Sequence, residues 1–472
     1  MTGTWADIAT LVLVRSEWVI LAYFLFANSF YAVLLICAVW EMSQHMLETR
    51  GESLWRVLSS RLAPGISMLA PAHNEAATIA ESVRALLALH YPNLEVVVVN
   101  DGSTDETLAV LVQQFELGPI YPIYRRQIQT QPVRGLYRSR SHPNLVVVDK
   151  ENGGKADALN AGLNVATGQL VCAMDADTLI EPDAMQRMVR PFLMGHDVIA
   201  AGGTIRVANG SQVQDGRVVA AKVPGRAIAG FQVVEYLRSF LFGRLGWNRL
   251  GGNLIISGAF GLFRRETVIK AGGYLHETVS EDMEIVVRLR RRGYEEKGSS
   301  RVDFIPDPVA WTEVPESLRV LGRQRDRWHR GLTHVMWRHR RLLLNPSYGA
   351  LGLVVYPYFF FIECLAPVVE TLGLLGLIAG LIFGAINVPF AVLFFLVAYG
   401  YGLILSAYTL VLEEISYHRY ERMGDRLMLL GWAMLESFTY RPLTVLWRLR
   451  GMVGFFRGQL GWGTMEHRGF SR

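Results

Sequence analysis

Apolar residues are unevenly distributed along this chain. Residues 18–40 include no charged side chain, and residues 350–412 include only Glu363 and Glu370. About 20 uncharged residues suffice to cross a bilayer as a helix. The pattern therefore predicts one span at the first run and two more near 358–382 and 388–412, with a turn around Gly384 and Pro389. Between these regions the spacing changes. Short apolar runs at 66–70, 95–99, 145–148 and 170–174 predict strands. They alternate with helical spacing at Ile79, Val83, Leu86 and Leu87, at Leu108, Leu111, Val112 and Phe115, and at Ala158, Leu159 and Leu163. Near-continuous apolar strands alternating with amphipathic helices predict a mainly parallel sheet covered on both faces.

Composition sharpens this picture. Of 472 residues, 51% are hydrophobic and 19% charged, against roughly 25% charged in an ordinary soluble protein. Disorder and a purely soluble enzyme are both excluded. The three cysteines, Cys37, Cys172 and Cys364, have neither a disulfide framework nor zinc-site spacing, and are expected to be small buried hydrophobes. The net charge of +5 does not point to nucleic acid, because the arginines gather beside the apolar runs, where anionic lipid headgroups attract them. Arg50, Arg56 and Arg61 follow the first run while Arg15 alone precedes it, which places the next segment in the cytoplasm. His418, Arg419, Arg422 and Arg426 place the loop after 412 there too. The run 427–449, interrupted by Arg441 and Pro442, is expected to be an amphipathic helix on the membrane surface. The expected organisation is an anchor segment over 1–45, a globular domain over 46–317, an interface helix over 318–345, membrane helices over 346–413 and cytosolic or interfacial helices over 414–472.

In an open α/β sheet, ligands sit beyond the carboxyl ends of the strands. The first predicted strand is followed by Pro71, His73, Asn74 and Glu75. The second is followed by Asn100, Asp101, Gly102, Ser103 and Asp105, and the fourth by Asp175 and Asp177. Each alone reads as a turn or helix cap; their coincidence at successive strand ends points to a site. Two carboxylates two residues apart after a strand suit Mg²⁺ or Mn²⁺ with a diphosphate completing the shell. Gly153, Gly154 and Lys155 lack the earlier glycine and the hydroxyl residue of a P-loop, and no GxGxxG follows a strand.

Further motifs stand in order: Asn152, Gly153, Gly154 and Lys155; Ser257, Gly258, Ala259 and Phe260; Ser280, Glu281 and Asp282; and Gln324, Arg327 and Trp328. With these, the chain resembles the membrane-integrated, inverting family-2 glycosyltransferases, the group containing poly-N-acetylglucosamine, chitin-oligomer, hyaluronan and cellulose synthases. The resemblance covers about 62–335 and implies a GT-A (Rossmann-like) α/β domain joined to transmembrane and interfacial helices. It implies a UDP-sugar donor, with Asp101 at the uridine, Asp175 and Asp177 at a metal-bound diphosphate, and Lys155 offsetting phosphate charge. Asp282 would be the general base, with Glu281 also at the substrate. Gln324 and Arg327 would bind diphosphate or acceptor, and Trp328 would stack on the acceptor sugar. Ser280, where the family usually has Thr, is expected to cap a helix over 283–289, placing Asp282 in its first turn, where the helix dipole favours an ionised carboxylate.

The implied product is a β-linked glycan grown on a glycan or lipid-linked acceptor, in contact with membrane lipids, at a bacterial inner membrane with the catalytic domain cytoplasmic. Three spans hardly enclose a polymer channel, so a small membrane subunit or a homo-oligomer would supply the rest. Single-sugar transfer to a lipid is the alternative; a non-catalytic carbohydrate-binding or transport protein would be expected to have lost Asp282 or the Asp175/Asp177 pair. Glu363 and Glu370 are expected to line a sugar path or to pair with another helix, and Trp311 to border the acceptor site.

Overall fold

The computed structural model describes residues 3–49, 63–121, 124–175, 178–195, 197–214, 217–298, 300–382, 388–420 and 422–459. The chain divides into two compact units. One comprises Met42–Pro224 and Asn248–Val314; the other comprises Met1–Glu41, Gly225–Trp247 and Pro315–Gly463. The expected globular segment 46–317 is thus interrupted. Its stretch Gly225–Trp247 is largely apolar and helical, and belongs with the helical unit.

The first unit is built on a sheet whose strands are β1 (Ile66–Ala72), β2 (Leu94–Asp101), β3 (Leu117–Ile120), β4 (Val133–Ser139), β5 (Leu145–Lys150) and β6 (Leu170–Met174). It continues through β7 (Leu179–Ile180), β8 (Val198–Val207), β11 (Phe260–Arg264) and β12 (Arg301–Thr312), while β9 (Gln212–Gln214) and β10 (Arg217–Ala220) form a separate hairpin. The order is β3-β4-β5-β2-β1-β6-β11-β8-β12-β7. The four strands expected from sequence form its parallel centre, β5-β2-β1-β6, with Met68 opposite both Val96 and Cys172. Val96–Val99 and Leu145–Val148 are completely or almost completely buried because both faces are covered. The helices Lys155–Val165 and Glu281–Glu295 share a core with these strands through Leu159, Leu163, Ile285 and Leu289.

Direction matters for the site. The carboxyl ends of β1, β2, β5 and β6 lie at one end of the sheet. β11 runs antiparallel to β6 with Phe260 opposite Met174, so the chain entering β11 at Ser257, Gly258 and Ala259 is delivered to that same end.

The N-terminal helix is long and apolar enough over its Glu17–Thr49 portion, 33 residues, to cross a membrane. A pair of helices, Leu351–Cys364 and Ala366–Ile382, bent by 43°, would make a second such element. The run expected to make the third span is helical throughout its described residues, as Val388–Phe395, a π-helical segment Leu396–Gly400 and Tyr401–Ser416. The turn expected around Gly384 lies outside the described residues.

Nor do Arg441 and Pro442 interrupt the last helix, which runs unbroken over Met423–Phe456. It lies against the helix Leu318–Arg338 at two glycines. A Cβ on Gly451 would come 2.3 Å from the backbone oxygen of Asp326, and one on Gly322 would come 2.8 Å from Nε1 of Trp447. Only hydrogen at these positions permits the crossing. Packing of this kind offsets the N–H that Pro442 removes.

Candidate functional site

At the carboxyl end of the sheet, the turns after β1 and β2 are stapled together. The Asn74 carboxamide accepts from Thr104 N–H at 2.8 Å, and the Asp105 carboxylate accepts from Ala76 N–H at 3.1 Å and Thr107 N–H at 3.0 Å. Burial pushes the Asp105 carboxyl up, but the bonds from Thr107 and Ala76 outweigh it and hold it below its ordinary range.

Asp101 closes β2 and is 3% exposed. Its carboxylate accepts from Lys150 Nζ at 2.5 Å, Gly153 N–H at 3.0 Å and Gly154 N–H at 2.7 Å. Both oxygens are therefore engaged within the protein, fixing the turn that opens the helix Lys155–Val165. The family resemblance puts Asp101 at the uridine and does not include Lys150. The signal for Lys150 in the sequence is a lysine that closes a strand opening on four apolar residues.

Lys155 occupies the first position of its helix and reaches across the sheet end. Its Nζ donates to Asp175 at 2.6 Å and lies 3.1 Å from Glu281 Oε1. Burial alone would lower the Lys155 ammonium, yet Asp175 and Glu281 hold it above its ordinary range. Burial raises the Glu281 carboxyl, with Lys155 opposing.

Asp282 follows in the first turn of the helix Glu281–Glu295, which begins two residues before the expected 283. Ser280 is at the N-cap position, but its side chain makes no capping bond. The Asp282 carboxylate instead accepts from Gly258 N–H at 2.9 Å and Met283 N–H at 2.8 Å. The Ser257–Phe260 motif thus contributes a backbone donor that orients Asp282, which is only partly buried. Asp101, Lys155, Asp175, Glu281 and Asp282 are therefore brought to one sheet end. Trp311 is not at a surface: it is 1% exposed and donates through Nε1 to Glu181 at 2.8 Å, a core role.

Asp175 is partly accessible, with 38% of its side chain exposed. No group of three metal-capable side chains occurs among the described residues, and Asp177 lies outside them. One or two carboxylates completed by water and phosphate oxygens nonetheless suit Mg²⁺ or Mn²⁺, so the donor set fits a cation held together with a substrate diphosphate.

Gln324, Arg327 and Trp328 lie on the helix Leu318–Arg338 of the other unit. Gln324 is 8% exposed and its Oε1 is buried without a hydrogen bond, whereas the Trp328 ring is 41% exposed and stacks on Arg325, whose guanidinium carbon is 4.2 Å from its centroid. Arg325 in turn donates to Glu235 at 2.6 Å and Tyr440 at 3.1 Å. Glu370 pairs with Arg441 at 3.0 Å, so it follows the second expectation, pairing with another helix; Glu363 accepts from Tyr358 at 2.8 Å.

On the same helix, burial and the Arg448 charge press the His329 imidazole down to about 3, against an ordinary 6.5, with a backbone bond to Cys364 opposing. The folded state holds this ring neutral, so below pH 6.5 protonation favours the unfolded chain. Its contribution is complete above pH 6.5 and falls by about 1.4 kcal/mol per pH unit on the way to 3. Thermal unfolding in detergent between pH 7.5 and 5 is expected to show a steeper loss for the wild type than for His329→Gln.

Comparison with known proteins places these features in context. The description "Glycosyl transferase family 2" matches residues 67–271, and "Glycosyl transferase family group 2" matches 170–405, half of the chain. The chain is similar to a poly-beta-1,6-N-acetyl-D-glucosamine synthase of Staphylococcus aureus, 28% identical over 275 residues, covering 58% of this chain and 56% of that protein. It is also similar to the probable glycosyltransferase YdaM of Bacillus subtilis, 29% identical over 294 residues, covering 62% and 60%. The chain thus spans a little over half the length of the curated relatives it matches. Among solved structures, a mannosyltransferase of Pyrobaculum calidifontis in complex with GDP-Man and Mn²⁺ aligns with a TM-score of 0.50 at 19% identity, over 92% of this chain and 99% of that one. This likeness bears on the fold alone, and agrees with the expected GT-A architecture.

Proposed function

Because the chain belongs to the family 2 glycosyl transferases, we propose that it extends a β-linked glycan at a membrane, adding sugars from a UDP-sugar with inversion. The observation that carries the reading is the Asp282 carboxylate, aimed by two backbone N–H groups and placed beside the Asp175, Lys155 and Glu281 cluster at the sheet end.

Asp282 takes the proton of an acceptor hydroxyl as that oxygen bonds to the anomeric carbon. The anomeric carbon–oxygen bond to the diphosphate breaks on the opposite face, so an α-linked donor yields a β-linked product. Lys155, now held by two carboxylates, turns toward the departing phosphate charge. Asp175, with Asp177, would hold Mg²⁺ or Mn²⁺, which supplies electrostatic stabilisation of the leaving diphosphate. Trp328 offers an apolar ring for an acceptor sugar, with Gln324 and Arg327 on the same helix. The N-terminal helix anchors the protein with its sheet unit on the cytoplasmic side.

The test is to incubate the full-length protein in lipid vesicles with Mg²⁺ or Mn²⁺ and, separately, UDP-N-acetylglucosamine, UDP-glucose and GDP-mannose, then size the products. A polymer ladder from a UDP-sugar is expected. A single-sugar adduct would replace processive extension by single transfer, and no transfer from any donor would overturn the reading.

A further inference from the structure

Lys150 is a buried cation with no role in the chemistry above. Its side chain is completely inaccessible, and its Nζ lies 2.5 Å from Asp101 Oδ1, 2.5 Å from Asp157 Oδ2 and 2.5 Å from the carbonyl oxygen of Glu151. An ammonium has three N–H donors, and here all three are spent. Asp157 is itself 3% exposed and accepts from Gln131 N–H at 3.2 Å. One lysine thus joins the end of β2, the 151–154 turn, the first turn of the helix Lys155–Val165 and the segment around Gln131.

The bonds that Asp101 makes next are the informative ones. Its oxygens hold Gly153 N–H and Gly154 N–H, and Gly154 has a left-handed φ of +83° immediately before Lys155. That turn sets where the helix begins, and hence where Lys155 starts its reach toward Asp175 and Glu281. Without the Lys150 charge, Asp101 and Asp157 would be two buried carboxylates, with only the His276 imidazole, 3.7 Å from Asp157, to take its place.

We infer that Lys150 is a positioning residue for nucleoside-diphosphate binding, acting through Asp101 and the turn at Gly153 and Gly154 to place Lys155. The inference rests on the transferase reading above. It predicts a change in donor affinity more than in turnover, which a merely structural role would not produce.

The experiment uses full-length protein in vesicles, with the KM and kcat for UDP-N-acetylglucosamine and the Kd for UDP with Mg²⁺ by calorimetry. Lys150→Met is expected to raise donor KM and UDP Kd by roughly 10-fold or more with kcat reduced less than about 3-fold; Lys150→Arg, which keeps the charge, should recover much of the affinity. Gly154→Ala acts on the turn without touching the charge: no atom lies within 4 Å of an added Cβ, so only the φ is strained. It should raise the same two constants. Donor KM and UDP Kd within about twofold of wild type in Lys150→Met overturn the inference. If that variant does not fold, donor KM and UDP Kd unchanged in Gly154→Ala do so. A wild type that turns over no nucleotide-sugar refutes the transferase reading instead, and the UDP Kd values still decide the role of Lys150.

Discussion

Asp282→Asn is expected to lower the transfer rate by about 10²–10⁴-fold, the usual contribution of a positioned general base. Donor affinity should change little, because Lys155 keeps its close contacts to Asp175 and Glu281 when Asp282 becomes an amide. The amide keeps the shape of the side chain and can still accept from one of the two N–H groups, at Gly258 or Met283, that hold the carboxylate. Losing the other, charge-assisted bond costs about 1.5–3 kcal/mol, which thermal unfolding separates from a loss of chemistry. The measurement is single-turnover transfer at saturating donor, alongside thermal unfolding. A variant retaining more than about a tenth of the wild-type rate would remove Asp282 from the base role.

The largest effect on stability is expected at Arg238→Leu. Arg238 grips Glu436 with two parallel bonds of 2.6 Å and also donates to Ser406 at 2.8 Å. Only 6% of the Glu436 side chain is accessible, so removing the arginine strands a buried carboxylate. Breaking one side of such a pair costs about 3–5 kcal/mol, whereas replacing both partners by apolar residues is often close to neutral. Unfolding in detergent should therefore show Arg238→Leu strongly destabilised and Arg238→Leu/Glu436→Leu largely restored. Equal stability of the single and double variants would mean that the pair carries no net charge coupling.

The contrast between these two sites shows what local sequence can convey. The parallel centre of the sheet was legible because β1, β2, β5 and β6 are apolar runs buried on both faces. The residues after them were legible because strand ends are where such a sheet binds ligands. The first turn of the Glu281–Glu295 helix was legible for a similar reason, since its acids and the apolar spacing behind them are contiguous. By contrast, Lys150 and Asp101 are 49 residues apart, Glu370 and Arg441 71, and Arg238 and Glu436 198. Spacing within one segment carries no information about such partners. Arg441 consequently read as a break in an apolar run, and Gly225–Trp247 as part of a continuous globular insert. The direction of β11 was hidden in the same way. Its apolar pattern is compatible with either orientation, and only the pairing of Phe260 with Met174 brings Gly258 to Asp282.

The two glycine contacts between the Leu318–Arg338 and Met423–Phe456 helices have a mechanical consequence. At Gly451 the second helix nearly touches the backbone of the first at Asp326, and near Gly322 an indole fills the remaining gap. Neither helix can slide or roll past the other without a collision at one of these points. Gln324, Arg327 and Trp328 stand on the stretch of the first helix between Gly322 and Gly331. A methyl group added at Gly451 or Gly322 would therefore press on the stretch that carries the Trp328 ring.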